Sequence, residues 1–294
     1  MLKFSRYIAL MLSVLAIVAG SATAAPYPEK PIKLIVAWSP GGTTDILARI
    51  VAQGLTEKLG QTVLVENKPG GGNNIGTEFV IRSAPDGYTL NMTNPANAIN
   101  ATLYKNLPFN FINDTVPVAG VIRTPNVMVV TSSLPVKNVE EFIAYCKANP
   151  TKVNMASSGS GSSIHLSGEL FKIMTGCKMA HIPYKGAGPA LNDLIANQVQ
   201  VMFDGPGAVN TARNGKVRLL GATSLKRASA APETPTLSET VLPGFDVATW
   251  FGLSVPAGTP RPMIDRLNRE THEMLRAPAT RQKYASAGLD LMPT

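Results

Sequence analysis

Little in this chain serves redox, metal or covalent chemistry: 294 residues hold two cysteines and three histidines. Cys146 and Cys177 have no CxxC spacing, and His165, His181 and His272 are scattered, so the ligand spacing of a zinc site is missing. Charged residues make up 16% of the chain, with no Lys/Arg run of five and no interleaved aromatics, which argues against a nucleic-acid partner. Beyond the N-terminus no stretch approaches the ~20 uninterrupted apolar residues of a membrane span. Gly70-Gly71-Gly72 lacks the Lys-Ser/Thr of a phosphate loop. No metal and no cofactor are expected.

What is present begins with an export signal. Lys3 and Arg6 precede an apolar run from Ile8 to Val18, and Gly20-Ser21-Ala22-Thr23-Ala24-Ala25 supplies small residues for cleavage. Residues 1–25 are therefore read as a removable signal peptide, and the mature protein as exported. The formal charge of +8 falls to +6 without Lys3 and Arg6, a diffuse basicity that suits an anionic ligand. An exported protein could join Cys146 to Cys177. Two buried thiols are the other reading, since a chain this long needs no staple.

Roughly 270 residues remain, enough for two lobes. Strand-like and helix-like segments alternate, the pattern of α/β layers with parallel strands. Ile32–Trp38 reads as a strand, Pro40-Gly41-Gly42 as a turn, and Thr43 as the start of a helix with Ile46, Leu47, Ile50, Val51, Leu55 and Leu59 at helical spacing, closed by Gly60. Val63–Glu66 completes a βαβ unit, whose first loop sits where open sheets bind ligands. A strand pair is expected around Val116–Val121 and Asn126–Thr131. Asn138 with Glu141 marks a capped helix. Val153–Ala156, Ile164–Gly176, Met179–Tyr184, Val199–Asp204 and Val217–Thr223 build a second α/β lobe inserted in the first. The expected boundaries are 26–123 for the first part of lobe 1, 124–223 for lobe 2 and 224–294 for the return to lobe 1. The crossings near Arg123–Val127 and Thr223 would form a hinge. No internal repeat is evident.

Two loops rich in Gly, Ser and Thr, Pro40–Thr44 and Ser157–Ser163, each join a strand end to a helix start. Such loops expose N–H groups without helical partners, at the positive end of a helix dipole, and can hold a carboxylate without a cation. Asp45 reads as a capping partner rather than a ligand contact. Asp204 could accept a hydrogen bond from a solute or tie its own turn. His165 could donate one hydrogen bond or simply pack. A serine hydrolase is the competing class, because Ser157, Ser158, Ser160, Ser162, His165 and Asp204 supply the residue types of a triad. The stretch Ser158-Gly159-Ser160-Gly161 is not the G-x-S-x-G elbow, however.

Several segments in order carry a resemblance: Ser39-Pro40-Gly41-Gly42 through Asp45, Pro69-Gly70-Gly71-Gly72, Pro85-Asp86-Gly87-Tyr88, Ser157-Ser158-Gly159-Ser160-Gly161 with His165-Leu166, Pro183-Tyr184-Lys185-Gly186, and Pro256-Ala257-Gly258-Thr259-Pro260. Across nearly all of the mature length the chain resembles the Bug family, periplasmic receptors of tripartite tricarboxylate transporters. The resemblance implies a two-lobe periplasmic binding protein (Venus flytrap) fold, each lobe a mostly parallel sheet flanked by helices. It implies no catalytic activity, a small organic acid as ligand, the membrane components of such a transporter as partner, and a monomer. A ligand-sensing module for a signalling partner is the alternative. By position it nominates Gly41, Gly42 and Thr43 from lobe 1 and Ser158, Ser162 and His165 from lobe 2, with Asn94 and Asp204 as selectivity contacts. It also places a further strand and helix of lobe 1 beyond Thr294, making a truncated form one reading of the chain.

Overall fold

Residues 27–292 are described in a computed structural model, so the signal-peptide reading of residues 1–25 lies outside the described residues. The first βαβ unit forms as its sequence dictates. Strand β1 (Ile32–Val36) runs into helix α1 (Thr43–Leu59), which buries Leu47, Val51, Leu55 and Leu59 along one stripe. Gly60 ends it in the left-handed conformation at φ 68°, its N–H returning to Thr56 O. β2 (Val63–Asn67) then pairs parallel to β1.

Helix α2 (Asn74–Ile81), β3 (Thr89–Thr93), α3 (Pro95–Leu103), the short α4 (Phe111–Asp114) and the long β4 (Thr115–Pro125) follow. The first sheet has the order β2-β1-β3-β10-β4, where β10 (Ala248–Pro256) arrives from far along the chain and runs antiparallel to both neighbours. Helix α10 (Arg261–Arg276) then lays Ile264, Leu267, Thr271 and Met274 onto this layer. Gly54 of α1 makes room for it: a Cβ there would overlap the Met274 side chain.

One residue after β4, the chain enters the second sheet as β5 (Val127–Thr131). These two strands lie in different sheets, so the strand pair expected around residues 116–131 does not form. Helix α5 (Val139–Ala148) starts at the expected cap, with Asn138 Oδ1 accepting the Glu141 N–H at 2.8 Å. Then come β6 (Asn154–Ser157), α6 (Ser163–Thr175), β7 (Ala180–Pro183), α7 (Ala187–Ile195), β8 (Val201–Asp204), α8 (Gly207–Arg213) and β9 (Val217–Ala222). The sheet order is β7-β6-β8-β5-β9. Its core holds Phe142, Phe171 and Phe203: the first two meet edge to face at 5.8 Å between ring centroids, and Phe171 and Phe203 lie tilted by 51° at 5.5 Å.

Each sheet thus has three parallel strands, a fourth strand running against them and a fifth antiparallel to the fourth. The two lobes share one strand order although their sequences show no repeat. The segment after β9 belongs to the second core, because Ala228, Ala231, Leu237 (in α9, Leu237–Thr240), Leu242 and Phe245 are buried with it. The return to the first sheet therefore begins at β10, not at residue 224. Helix α11 (Pro278–Ser286) packs last, with Tyr284 buried in the first core.

Cys146 and Cys177 are buried, unbridged thiols. The Cys146 thiol donates to Lys178 O at 3.7 Å, and the neighbouring Cys177 thiol together with burial pushes it up. Among the described residues no helix is long and apolar enough to cross a membrane, and no cluster of three metal-ligating side chains occurs.

Candidate functional site

Between the two sheets lies a cleft on which several helix starts converge. Its floor and walls include Gly42, Thr43 and Thr44 at the head of α1, Pro95 at α3, Ser163 and Ile164 at α6, and Ala187 at α7. At α1 the N-cap is Gly42, which offers no side chain, so the first-turn N–H groups stay without a side-chain cap. The α7 start at Gly186 is bare in the same way. At α6 the Ser162 hydroxyl accepts the His165 N–H at 3.1 Å, leaving the Ser163 and Ile164 N–H groups to the cleft. The lining contains no Lys, Arg or His; its ionisable members are Asp45 and Asp204. Positive potential here comes from backbone dipoles, the arrangement that binds anions at helix N-termini.

The lobes touch across this cleft. The Ser39 N–H donates to Lys185 O at 2.9 Å. A Cβ on Gly42 would stand 3.0 Å from the Ala187 Cβ of the other lobe, and one on Gly161 would collide with Asn100. Trp38, 6% exposed, sits on the seam and would lie 3.1 Å from a Cβ on Gly159. Behind the cleft, the two crossings are laced together: the Thr223 N–H donates to Asn126 O at 3.0 Å and the Val247 N–H to Thr223 O at 2.7 Å.

Of the eight nominated residues, Gly42, Thr43, Asn94, Ser158, Ser162 and Asp204 line the cleft and two do not. The Gly41 N–H is turned to Asp45 Oδ2 at 3.1 Å. His165 packs behind the loop, its ring stacked on His181 at 4.0 Å. Asn94 lines the cleft but caps α3, with Oδ1 accepting the Ala96 N–H at 3.1 Å and its N–H donating to Asn97 at 2.9 Å. Asp45, read from the sequence as a capping partner, sits in the first turn but turns back to tie the Gly41 N–H of the loop instead of capping α1. Burial would raise its carboxyl, but hydrogen bonds from Arg49, the Gly41 N–H and Asn67 outweigh that and hold it below the usual range.

Asp204 is different. It is 4% exposed, and the Gly205 N–H at 2.7 Å is its one hydrogen-bond donor among the described residues. Burial pushes its carboxyl up to about 7, against the lowering pull of the Gly205 N–H.

The serines do not assemble a triad. Ser157 Oγ lies 2.6 Å from His181 Nε2, yet Ser157 is fully buried and does not line the cleft. Sequence reasoning missed Trp38, Asn126, Ala187, Thr249 and Phe251. Ala187 carried a signal, since Lys185-Gly186-Ala187-Gly188 repeats the glycine-rich strand-to-helix turn of the other two loops. Thr249 and Phe251 reach the cleft through β10, a long-range pairing with no local signature.

Two α/β lobes closing on a cleft lined by N–H groups define a solute-binding protein. The chain belongs to the tripartite tricarboxylate transporter family receptors, whose family model matches residues 47–294. It is 37% identical to the protein BugT of Bordetella pertussis (strain Tohama I), over 92% of this chain and 84% of that one. The solved structure of the periplasmic binding protein BugD superposes with a TM-score of 0.88 at 35% identity, covering 90% of this chain and 89% of that one. The R. palustris protein Rpa4515, solved with adipate, gives a TM-score of 0.87 at 34% identity over 90% and 89% of the two chains. Family and fold are those of solute-binding receptors rather than enzymes.

Proposed function

We propose that the mature protein works in the periplasm as a monomer, captures a small organic carboxylate between its lobes and delivers it to the membrane components of a tripartite tricarboxylate-type transporter. The observation that carries this reading is the cleft lining: bare helix starts from both lobes and no cationic side chain. A carboxylate held this way gains charge-assisted hydrogen bonds from both sides, so binding favours the closed form. The adipate of Rpa4515 supports a dicarboxylate of similar reach. Gly42, Thr43 and Ser158, with the Ser163 and Ile164 N–H groups that Ser162 sets in place, are the contacts we assign to the ligand's carboxylates, with Asn94 and Asp204 meeting its remainder. Asn126 and Val247, tied together through Thr223, would serve as the hinge between residues 27–125 with 248–292 and residues 127–246.

Asp204 sharpens the ligand class. An incoming anion raises the cost of charge on this carboxyl, so capture of a dicarboxylate takes up a proton near neutral pH. A ligand bearing an ammonium group would instead expel one.

Titration calorimetry of the mature protein against mono-, di- and tricarboxylates, amino acids and aromatic acids tests the reading. The expected result is saturable binding of at least one dicarboxylate, with Trp38 fluorescence changing on closure. A panel with no heat and no thermal shift would end it. Mass spectrometry of the copurifying solute then names the acid.

A further inference from the structure

The loop that carries the second lobe's N–H groups is held from behind by a pair of histidines. His165, in the first turn of α6, and His181, on β7, stack with ring centroids 4.0 Å apart and planes 22° from parallel. Each ring grips the loop. The Gly161 N–H donates to His165 Nδ1 at 3.3 Å. His181 Nε2 meets Ser157 Oγ at 2.6 Å, and that same oxygen accepts the Gly159 N–H at 3.1 Å. Ser162 closes the loop on itself, its hydroxyl donating to Gly159 O at 2.7 Å.

We propose that His165 and His181 are positioning residues: as neutral stacked rings they clamp residues 157–163 so that the Ser163 and Ile164 N–H groups face the cleft, and protonation of the pair releases that loop. The geometry carries this. Because His165 Nδ1 accepts from Gly161, the ring's own proton sits on Nε2, which faces Glu169 Oε1 at 3.6 Å. A second proton would place a donor opposite the Gly161 N–H and a charge against the His181 ring. The charged groups facing the pair are Glu169 and Lys172 of α6, and Lys172 already engages both Glu169 oxygens at 2.9 Å. β6 presents the neutral Ser157 hydroxyl to the pair.

Burial lowers both rings, and His165 with Lys172 lowers His181 further, to about 4, while Glu169 pulls the other way. The neutral pair is thus the resting state at neutral pH, and the clamp gives way as the solution is acidified from 6.5 toward 4.

The role in binding rests on the carboxylate site proposed above, so the test reads the loop as well as the ligand. Amide hydrogen exchange of residues 157–163 in the unliganded full chain, and affinity for adipate, are compared between wild type and His165→Asn/His181→Gln at pH 7.5 and pH 4.5. The variant keeps a polar atom for each loop contact but cannot titrate there. At pH 7.5 the two proteins are expected to match; at pH 4.5 wild type should lose about tenfold in loop protection and affinity relative to the variant, the value of one pKa unit of coupling. His165→Phe, which removes the acceptor, should loosen the loop by about the same factor at pH 7.5. Identical pH profiles for wild type and the double variant overturn the proposal, as does wild-type loop protection in a folded His165→Phe. Should His165→Phe not fold, the double variant decides. Loop release on acidification without adipate binding at either pH would uphold the clamp and count against the carboxylate site.

Discussion

The two lobes share a strand order but secure their binding loops by opposite chemistry. In the first lobe the loop before α1 is tied by a buried ion: Asp45 gathers the Gly41 N–H, Arg49 at 2.9 Å and Asn67 at 3.0 Å. In the second lobe the loop before α6 is held by neutral groups, the stacked His165 and His181 with Ser157 and Ser162. Both leave first-turn N–H groups open to the cleft. The difference lies in how each fails. Asp45 has a folded pKa below its unfolded value of 3.8, so its contribution is present above that value and disappears only as pH falls through the lower one. Burial depresses both histidines below 6.5, and His181, lowered to about 4, loses its contribution between 6.5 and that value. On acidification the second loop yields first.

That comparison can be broken at several points. The largest effect is expected at Asp204, the buried carboxyl of the second lobe. Its folded pKa of about 7 exceeds the unfolded 3.8, so its contribution is full below 3.8 and becomes a penalty as pH rises through 7. Asp204→Asn should therefore stabilise the protein at pH 8 by up to about 4 kcal/mol, at ~1.4 kcal/mol per pKa unit, and by little at pH 3.5. Urea melts at the two pH values measure this, and equal shifts at both would be inconsistent with a carboxyl held neutral by burial. The same substitution should remove the proton uptake that accompanies dicarboxylate binding, read by calorimetry in buffers of different ionisation enthalpy.

Next comes Gly42→Val in the first lobe. Its added carbons meet Ala187 across the seam, and overpacking of roughly 1–3 kcal/mol should appear as weaker affinity with little change in the melting temperature of the unliganded protein. Asp45→Ala removes charged hydrogen bonds from three partners and should cost roughly 2 kcal/mol in stability. Smallest is the second-lobe cap: Ser162→Ala should cost about 1 kcal/mol, and Ser162→Gly, which copies the bare cap of the first lobe, only a few tenths. If Ser162→Gly proved as damaging to stability as Asp45→Ala, the hydroxyl's bond to Gly159 O, rather than the cap, would be what holds the loop.

Much of this was legible in the residues because the signals are local. Gly60 and Gly176 ending helices, Asn138 starting one, and apolar spacing in α1 depend on neighbours within a few positions. The two loops that expose N–H groups were legible for the same reason, and so was the place of Asp45 in the first turn of α1. What the sequence hid depends on distance. Nothing near residue 250 indicates insertion between β3 and β4, which brings Thr249 and Phe251 to the cleft. His165 and His181 read as scattered, yet one helix and one strand return bring their rings face to face. Gly41 and His165 were nominated from their place in the loops, but the direction of an N–H or a ring is fixed by its partner, here Asp45 and Gly161.

The late arrival of β10 has a consequence for the order of assembly. As the chain becomes available from its N-terminus, every strand of the second sheet is present once residue 222 has passed. The first sheet stays divided, with β4 separated from β3, until residues 248–256 slot between them. Half of the molecule must therefore wait with an open, aggregation-prone edge for the strand that joins β4 to the rest. The lobe that begins the chain is the one that finishes folding last.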